Sequence, residues 1–382
     1  MEFKQDVEEL IERLGTANMQ LKNAKSSDER LALGNYIYTL YEAIQAVICL
    51  PLDYSDKDVF GSRKNCKKYI KKTDIYSDRI LQNFFDNRKY HNAMFGNIIN
   101  ELGDKLDFLD DQYTCINHTI TKGEFFDIFL SFLKSLKLDK EYDDFIKKVG
   151  IYSFNGDVMP DCGGFLLFNP VDKATDVFSA DASYDVRTLS VLAHEFGHAY
   201  DFSKFEGDYT NYNKYLHQSF YTEVTSILFE RLLSDYLINN NILIKDAKDD
   251  YLLRSETRYL TLFASFIDTL LDYDLLRKNR QDKYSSEYIY SLIEKYVNED
   301  VKDIVDEIIT LNVRHNYIYT YGDIISMIMK EQINKYGFEN DMLLEMFERR
   351  EEIFSPEFLD NYGVTPDSYV EGYQKELKLL KK

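Results

Sequence analysis

Two histidines four residues apart, with a glutamate directly after the first, stand in "RTLSVLAHEFGHAYDF" (187–202). On an α-helix, positions i and i+4 share one face, so His194 and His198 project side by side. That spacing lets two imidazole nitrogens bind one Zn²⁺ at about 2.0–2.1 Å. Glu195 points away from the ligand pair yet can reach a water on the metal, where a carboxylate serves as general base. The competing reading is two hydrogen-bonded histidines on a buried helix. With six histidines in 382 residues, a chance H-E-x-x-H arises in about one such chain in a hundred, which favours the metal.

The helix that must carry these residues is legible around them. Ser183 or Asp181 is placed to cap it, and Val186, Leu189, Leu192 and Phe196 recur three or four apart as a core-facing stripe. Gly197 in mid-helix costs roughly 1 kcal/mol against Ala, which implies close approach of another backbone. A zinc site of this class needs a third protein ligand and an open position. The other histidines, His91, His118, His217 and His315, do not extend the motif. A carboxylate from a following helix is the natural choice, and "HQSFYTEVTSILFERLL" (217–233) sets Glu223 and Glu230 among apolar neighbours. Such a carboxylate is expensive unless paired or metal-bound. Glu223 is the expected third ligand. Glu230, two turns on, either orients a ligand histidine or lies on the surface.

Nearly all the rest reads as helix. Segments 30–50, 76–102, 124–136, 213–240, 252–278, 284–297, 299–311, 318–336 and 366–380 carry apolar residues at helical spacing. The exception is 150–185, with two of the five prolines, a Gly-Gly pair and short apolar runs such as "GFLLFN"; it reads as a small β-sheet or hairpin beside the histidine helix. The expected fold class is therefore mainly α, with an N-terminal helical lobe over 1–148 and a catalytic region over 149–382.

Composition narrows the partners. A net charge of −20 opposes nucleic-acid binding, which needs a surplus of Lys and Arg. The Lys-rich stretch 62–72 reads as a solvated helix face. Cys49, Cys66, Cys115 and Cys162 form no CxxC pair and fit free thiols in a reducing compartment. The N-terminus is charged from residue 2, unlike a signal peptide, and no run of about 18 apolar residues suits a membrane span. A cytoplasmic protein is expected.

With His194, Glu195, His198 and Glu223 in place, the sequence resembles the thimet oligopeptidase and oligoendopeptidase F family of zinc peptidases. "DVRTLSVLAHEFGHAYD" is similar to that family's extended signature, "EVTSILFE" to its Glu-Val-x-Ser-x-x-x-Glu segment, and "NYIYTYGDIIS" (316–326) to the Tyr-x-Tyr-x-Tyr run of the oligoendopeptidase F branch. The likeness spans about residues 150–335, less than half of the chain. It implies a helical gluzincin-type fold with a channel, one Zn²⁺, and short oligopeptides as substrates. It further implies that an edge strand within "DCGGFLLFN" (161–169) takes the peptide backbone, through Gly163, Gly164 and Phe165. Tyr319 is the implied oxyanion donor, with Tyr317 and Tyr321 behind it on the substrate and His315 as a second donor. Three features depart from the family: Leu311 stands where relatives carry a histidine, Asp201 replaces a further histidine, and the chain is short. The expected activity is a zinc-dependent endopeptidase. A carboxypeptidase is the alternative, with Arg187, Arg254 or Arg314 holding a terminal carboxylate; so is a zinc-containing peptide-binding protein with little turnover.

Overall fold

The computed structural model describes residues 86–103, 118–138, 149–154, 164–169, 174–180, 184–204, 212–277, 286–297, 317–338, 341–349 and 352–380, with parts of 12–40. Among these the chain is mainly helical. After helical residues within 12–40, helices α1 (Arg88–Gly103) and α2 (Lys122–Ser135) precede strands β1 (Val149–Phe154), β2 (Gly164–Asn169) and β3 (Ala174–Ala180). There follow α3 (Val186–Lys204), α4 (Tyr212–Asn239), α5 (Ile244–Arg277), α6 (Ser286–Ile293) and α7 (Tyr317–Tyr336). Helices α8 (Asp341–Glu348), α9 (Pro356–Asn361) and α10 (Pro366–Leu380) close the chain. The expected helical stretch 299–311 and the basic run 62–72 lie outside the described residues.

Helix α4 is the axis. It packs along α3 on one side and α7 on the other, and α5 touches α3, α4 and α7. The stripe Val186, Leu189, Leu192 and Phe196 is buried, as its helical spacing requires. Aromatic side chains of α2 back it: Phe129 meets Phe196 edge to face at 5.6 Å between ring centres, and Phe196 lies tilted against Phe229 of α4 at 5.1 Å. Asp185 caps α3, its Oδ1 accepting from the backbone N–H of Thr188 at 2.8 Å; the caps expected from the sequence, Asp181 and Ser183, fall outside the described residues. The capping box that opens α2 pairs Thr121 with Glu124.

The three strands have the order β1-β3-β2, with β1 parallel and β2 antiparallel to β3. Gly164 of β2 pairs with Ser179 of β3. Helix α3 packs against β2 and β3, and β2 forms one edge of the sheet.

Helix α7 is buried along most of its length, which corrects one expectation. Tyr321 is fully buried and hydrogen-bonds Nδ1 of His91 on α1, with Phe95 and Phe354 rings about it. It belongs to the core rather than to an exposed face of α7. Burial pushes the His91 imidazole from its ordinary 6.5 down to about 3. Between those values the unfolded chain takes up a proton that the folded chain refuses. Stability from this site is therefore present above pH 6.5 and lost as the pH falls, at up to about 1.4 kcal/mol per pH unit. We predict that the melting temperature of wild type falls relative to that of His91→Gln between pH 6.5 and 5 in calorimetric scans at fixed rate. Parallel curves for the two proteins would contradict this origin.

Candidate metal centre

Three side chains from two helices converge. Nε2 of His194 and Nε2 of His198, both on α3, lie 3.1 Å apart. Glu223 of α4 faces both, with Oε2 at 3.6 Å from His194 Nε2 and Oε1 at 3.7 Å from His198 Nε2. Ligands at 2.0–2.1 Å in a tetrahedron stand about 3.3 Å from one another, so this triangle has the size of one face of a zinc coordination sphere. Among the described residues it is the one group of three His, Cys, Asp or Glu side chains that could hold a metal.

Two glycines bring the helices to this distance. A Cβ on Gly197 would lie 2.5 Å from Cα of Ser226, so α3 meets α4 backbone to backbone one turn past Glu223. This is the close approach that a mid-helix glycine implied. From the other side, a Cβ on Gly322 of α7 would lie 2.9 Å from the backbone carbonyl carbon and Cβ of Glu223 itself. Ser226 adds a local clamp, its hydroxyl donating to Oε2 of Glu223 at 3.1 Å.

The surroundings set orientation and charge. Glu230 accepts the Nδ1–H of His194 at 2.6 Å, the carboxylate–histidine arrangement that turns the other ring nitrogen toward a metal. Burial disfavours the Glu230 carboxylate, but Arg254, His194 and Arg258 outweigh it and hold it well below the usual range. Burial likewise lowers His194, yet its bond to Glu230 and the charges of Glu230, Glu223 and Glu195 raise it to about 9. The pocket's field thus favours a cation where the two Nε2 atoms meet, as a built metal site requires. Burial raises the Glu195 carboxyl to about 7, with His194 opposing and Glu223 and Glu230 assisting. A group poised there can take and return a proton near neutrality.

Tyr319 also reaches the centre: its hydroxyl donates to Glu223, while 45% of the residue stays exposed. Tyr317 opens α7, and Gly164 and Phe165 lie on β2; Gly163, His315, Leu311 and Arg314 fall outside the described residues. Arg187 is exposed, whereas Arg254 is committed to Asp250 at 2.9 Å and Glu230 at 3.3 Å. That engagement removes Arg254 as a free cation for a peptide terminus. Sequence reasoning missed Arg258, Asp323 and Gly322. An acid inside the apolar run "YGDIISMIM" was the available signal for Asp323, by the reasoning that had singled out Glu223.

Neither a protein-family profile nor a curated protein matches the sequence significantly. Solved structures do match in shape. A protein described as an oligoendopeptidase F from Bacillus anthracis str. Ames aligns over 100% of this chain and 74% of its own, at TM-score 0.53 and 13% identity. The fold is oligoendopeptidase-like. A protein described as a peptidase from Chlamydophila abortus aligns over 96% of this chain and 66% of its own, at TM-score 0.48 and 17% identity. A carboxypeptidase from Pyrococcus furiosus aligns over 98% and 80%, at TM-score 0.43 and 13% identity. The oligoendopeptidase-like fold rests on the first of these alone, since the other two fall below 0.5. No helix among the described residues is long and apolar enough to cross a membrane.

The clearance at Gly322 yields a test. Gly322→Ala must push Glu223 off its present position, because the colliding atoms are backbone and Cβ rather than a flexible tip. We expect zinc affinity, measured by competition with a chromophoric chelator, to fall about tenfold or more, with helicity retained. An affinity equal to that of wild type would show that α7 does not set the position of Glu223.

Proposed function

We propose that this chain is a cytoplasmic zinc-dependent metalloendopeptidase that hydrolyses internal bonds of short peptides. The observation that carries the reading is the convergence of His194, His198 and Glu223 at zinc-ligand spacing, next to a buried Glu195 whose carboxyl is raised to about 7. Zinc held by those three side chains would supply the Lewis acidity that polarises a scissile carbonyl and acidifies a water. Two His and one Glu suit zinc well among the divalent metals.

The remaining steps belong to the protein. Glu195 takes the proton of the attacking water and returns it to the leaving amine. Tyr319, half out in solvent and already pointing a hydroxyl at Glu223, turns that hydroxyl to the developing oxyanion when substrate arrives. His315 is the second donor in this reading. The peptide backbone adds to the edge strand β2, where Gly164 and Phe165 lie beside α3, with Gly163 and Tyr317 completing the substrate contacts. A carboxypeptidase is the second reading: Arg254 is bound by Asp250 and Glu230, which leaves the exposed Arg187 and Arg314 as cations for a terminal carboxylate.

Internally quenched peptides blocked at both ends test the reading on wild type and Glu195→Gln, each assayed for bound metal. One zinc per chain in both, with cleavage by wild type at least 10³-fold faster than by the variant, is the expected result. Cleavage of only those peptides that have a free C-terminus would replace the endopeptidase with a carboxypeptidase. Zinc in both proteins with no cleavage by either would leave a peptide-binding protein.

A further inference from the structure

Glu230 divides its two oxygens between two tasks. Oε1 meets His194 Nδ1 at 2.6 Å, while Oε2 accepts from Nη2 of Arg258 at 2.6 Å and lies 3.3 Å from Nη1 of Arg254. The two arginines sit one turn apart on α5, but they are anchored differently. Arg254 is held by Asp250, 2.9 Å away, and Asp250 in turn accepts from the Ser190 hydroxyl of α3 at 2.7 Å. Arg258 lies with Nε 3.4 Å from Oδ1 of Asp323 on α7. Asp323 is itself fixed by the guanidinium of Arg231 from α4 and by the Tyr369 hydroxyl from α10. Arg231 continues the chain to Glu376 of α10, which also binds Lys330 of α7 and the Tyr251 hydroxyl of α5.

A carboxylate with one oxygen on a ligand histidine is free to rotate about its last bond unless the other oxygen is also held. Arg258 holds it at short range through a planar fork whose other edge faces an immobile acid. We propose that Arg258 is a positioning residue for the metal centre: by bridging Glu230 and Asp323 it fixes the carboxylate that orients His194, so that α5, α7 and α10 together set the direction of the ligand ring. The inference rests on the reading of His194, His198 and Glu223 as metal ligands. Arg258 touches no ligand atom and acts through Glu230, so its role is told from mere stabilisation of the fold by the coupling to Glu230 and by the metal's spectrum.

The test is a mutant cycle read by zinc affinity in chelator competition, with the d–d absorption of the Co²⁺-loaded protein as a second readout. The single variants are Arg258→Gln, Arg258→Lys and Glu230→Gln, and the double variant combines Arg258→Gln with Glu230→Gln. Arg258→Gln is expected to weaken zinc binding 10–100-fold and to shift the Co²⁺ spectrum. Arg258→Lys, which keeps the charge but not the fork, is expected to lose less. In the Glu230→Gln background the arginine change is expected to cost nothing more. Should Arg258→Gln fail to fold, the Lys variant carries the same comparison. Affinity within twofold of wild type in the folded arginine variants would overturn the inference while leaving the metal centre standing. An equal loss with and without Glu230 would overturn it as well. A wild type that binds no zinc would overturn the metal centre itself.

Discussion

Helix α4 passes between α3 and α7 with no room for a side chain at either crossing. Gly197 meets Ser226 on one side and Gly322 meets Glu223 on the other, and these two contacts lie within one turn of α4. Packed helices commonly stand about 8–10 Å apart, and glycine at a crossing is what permits backbone contacts as close as these two. The two glycines exchange local helix propensity, roughly 1 kcal/mol each, for a fixed depth of Glu223. The aromatic packing of Phe129, Phe196 and Phe229 behind the crossing gives the approach a rigid back wall.

Electrostatics then decides what that pocket holds. Glu195, Glu223 and Glu230 are partly or wholly buried around two imidazoles, and the nearest cations, Arg254 and Arg258, are both turned to Glu230. Glu230 is thereby held as a carboxylate, while burial raises the Glu195 and Glu223 carboxyls, and a cation at the meeting point of the histidine nitrogens would draw both to their charged forms. Behind Glu230 the ion pairs run through Arg258, Asp323, Arg231 and Glu376 into the C-terminal helix. Buried ion networks often contribute little net stability against an apolar alternative, and in some proteins buried polar groups specify geometry instead. That use fits a network whose terminal member orients a ligand ring.

How much of this could be read in advance differs by element. The His194, Glu195, His198 constellation follows from spacing alone, and Glu223 from the cost of leaving a carboxylate among apolar residues. The stripe on α3 and most helices follow from periodicity. Tyr319 came from resemblance, and here helical phase mattered: residues two apart on an α-helix diverge by about 200°, so Tyr319 and Tyr321 cannot both face the metal, and the structure sends Tyr321 to His91 in the core. The charge network was hidden for another reason. Arg231, Asp323 and Glu376 lie on three helices far apart in sequence, and nothing local marks one buried ion as the partner of another. Only the short run "YGDIISMIMK" hinted at it, since Asp323 and Lys330 each interrupt an apolar face.

X-ray absorption at the zinc edge of the loaded protein tests the metal centre most directly. The arrangement predicts two imidazole nitrogens and a carboxylate oxygen among ligands at about 2.0–2.1 Å, with no sulfur at about 2.3 Å. A sulfur shell, or an all-oxygen shell without imidazole scattering, would place the metal elsewhere and contradict the assignment of His194, His198 and Glu223.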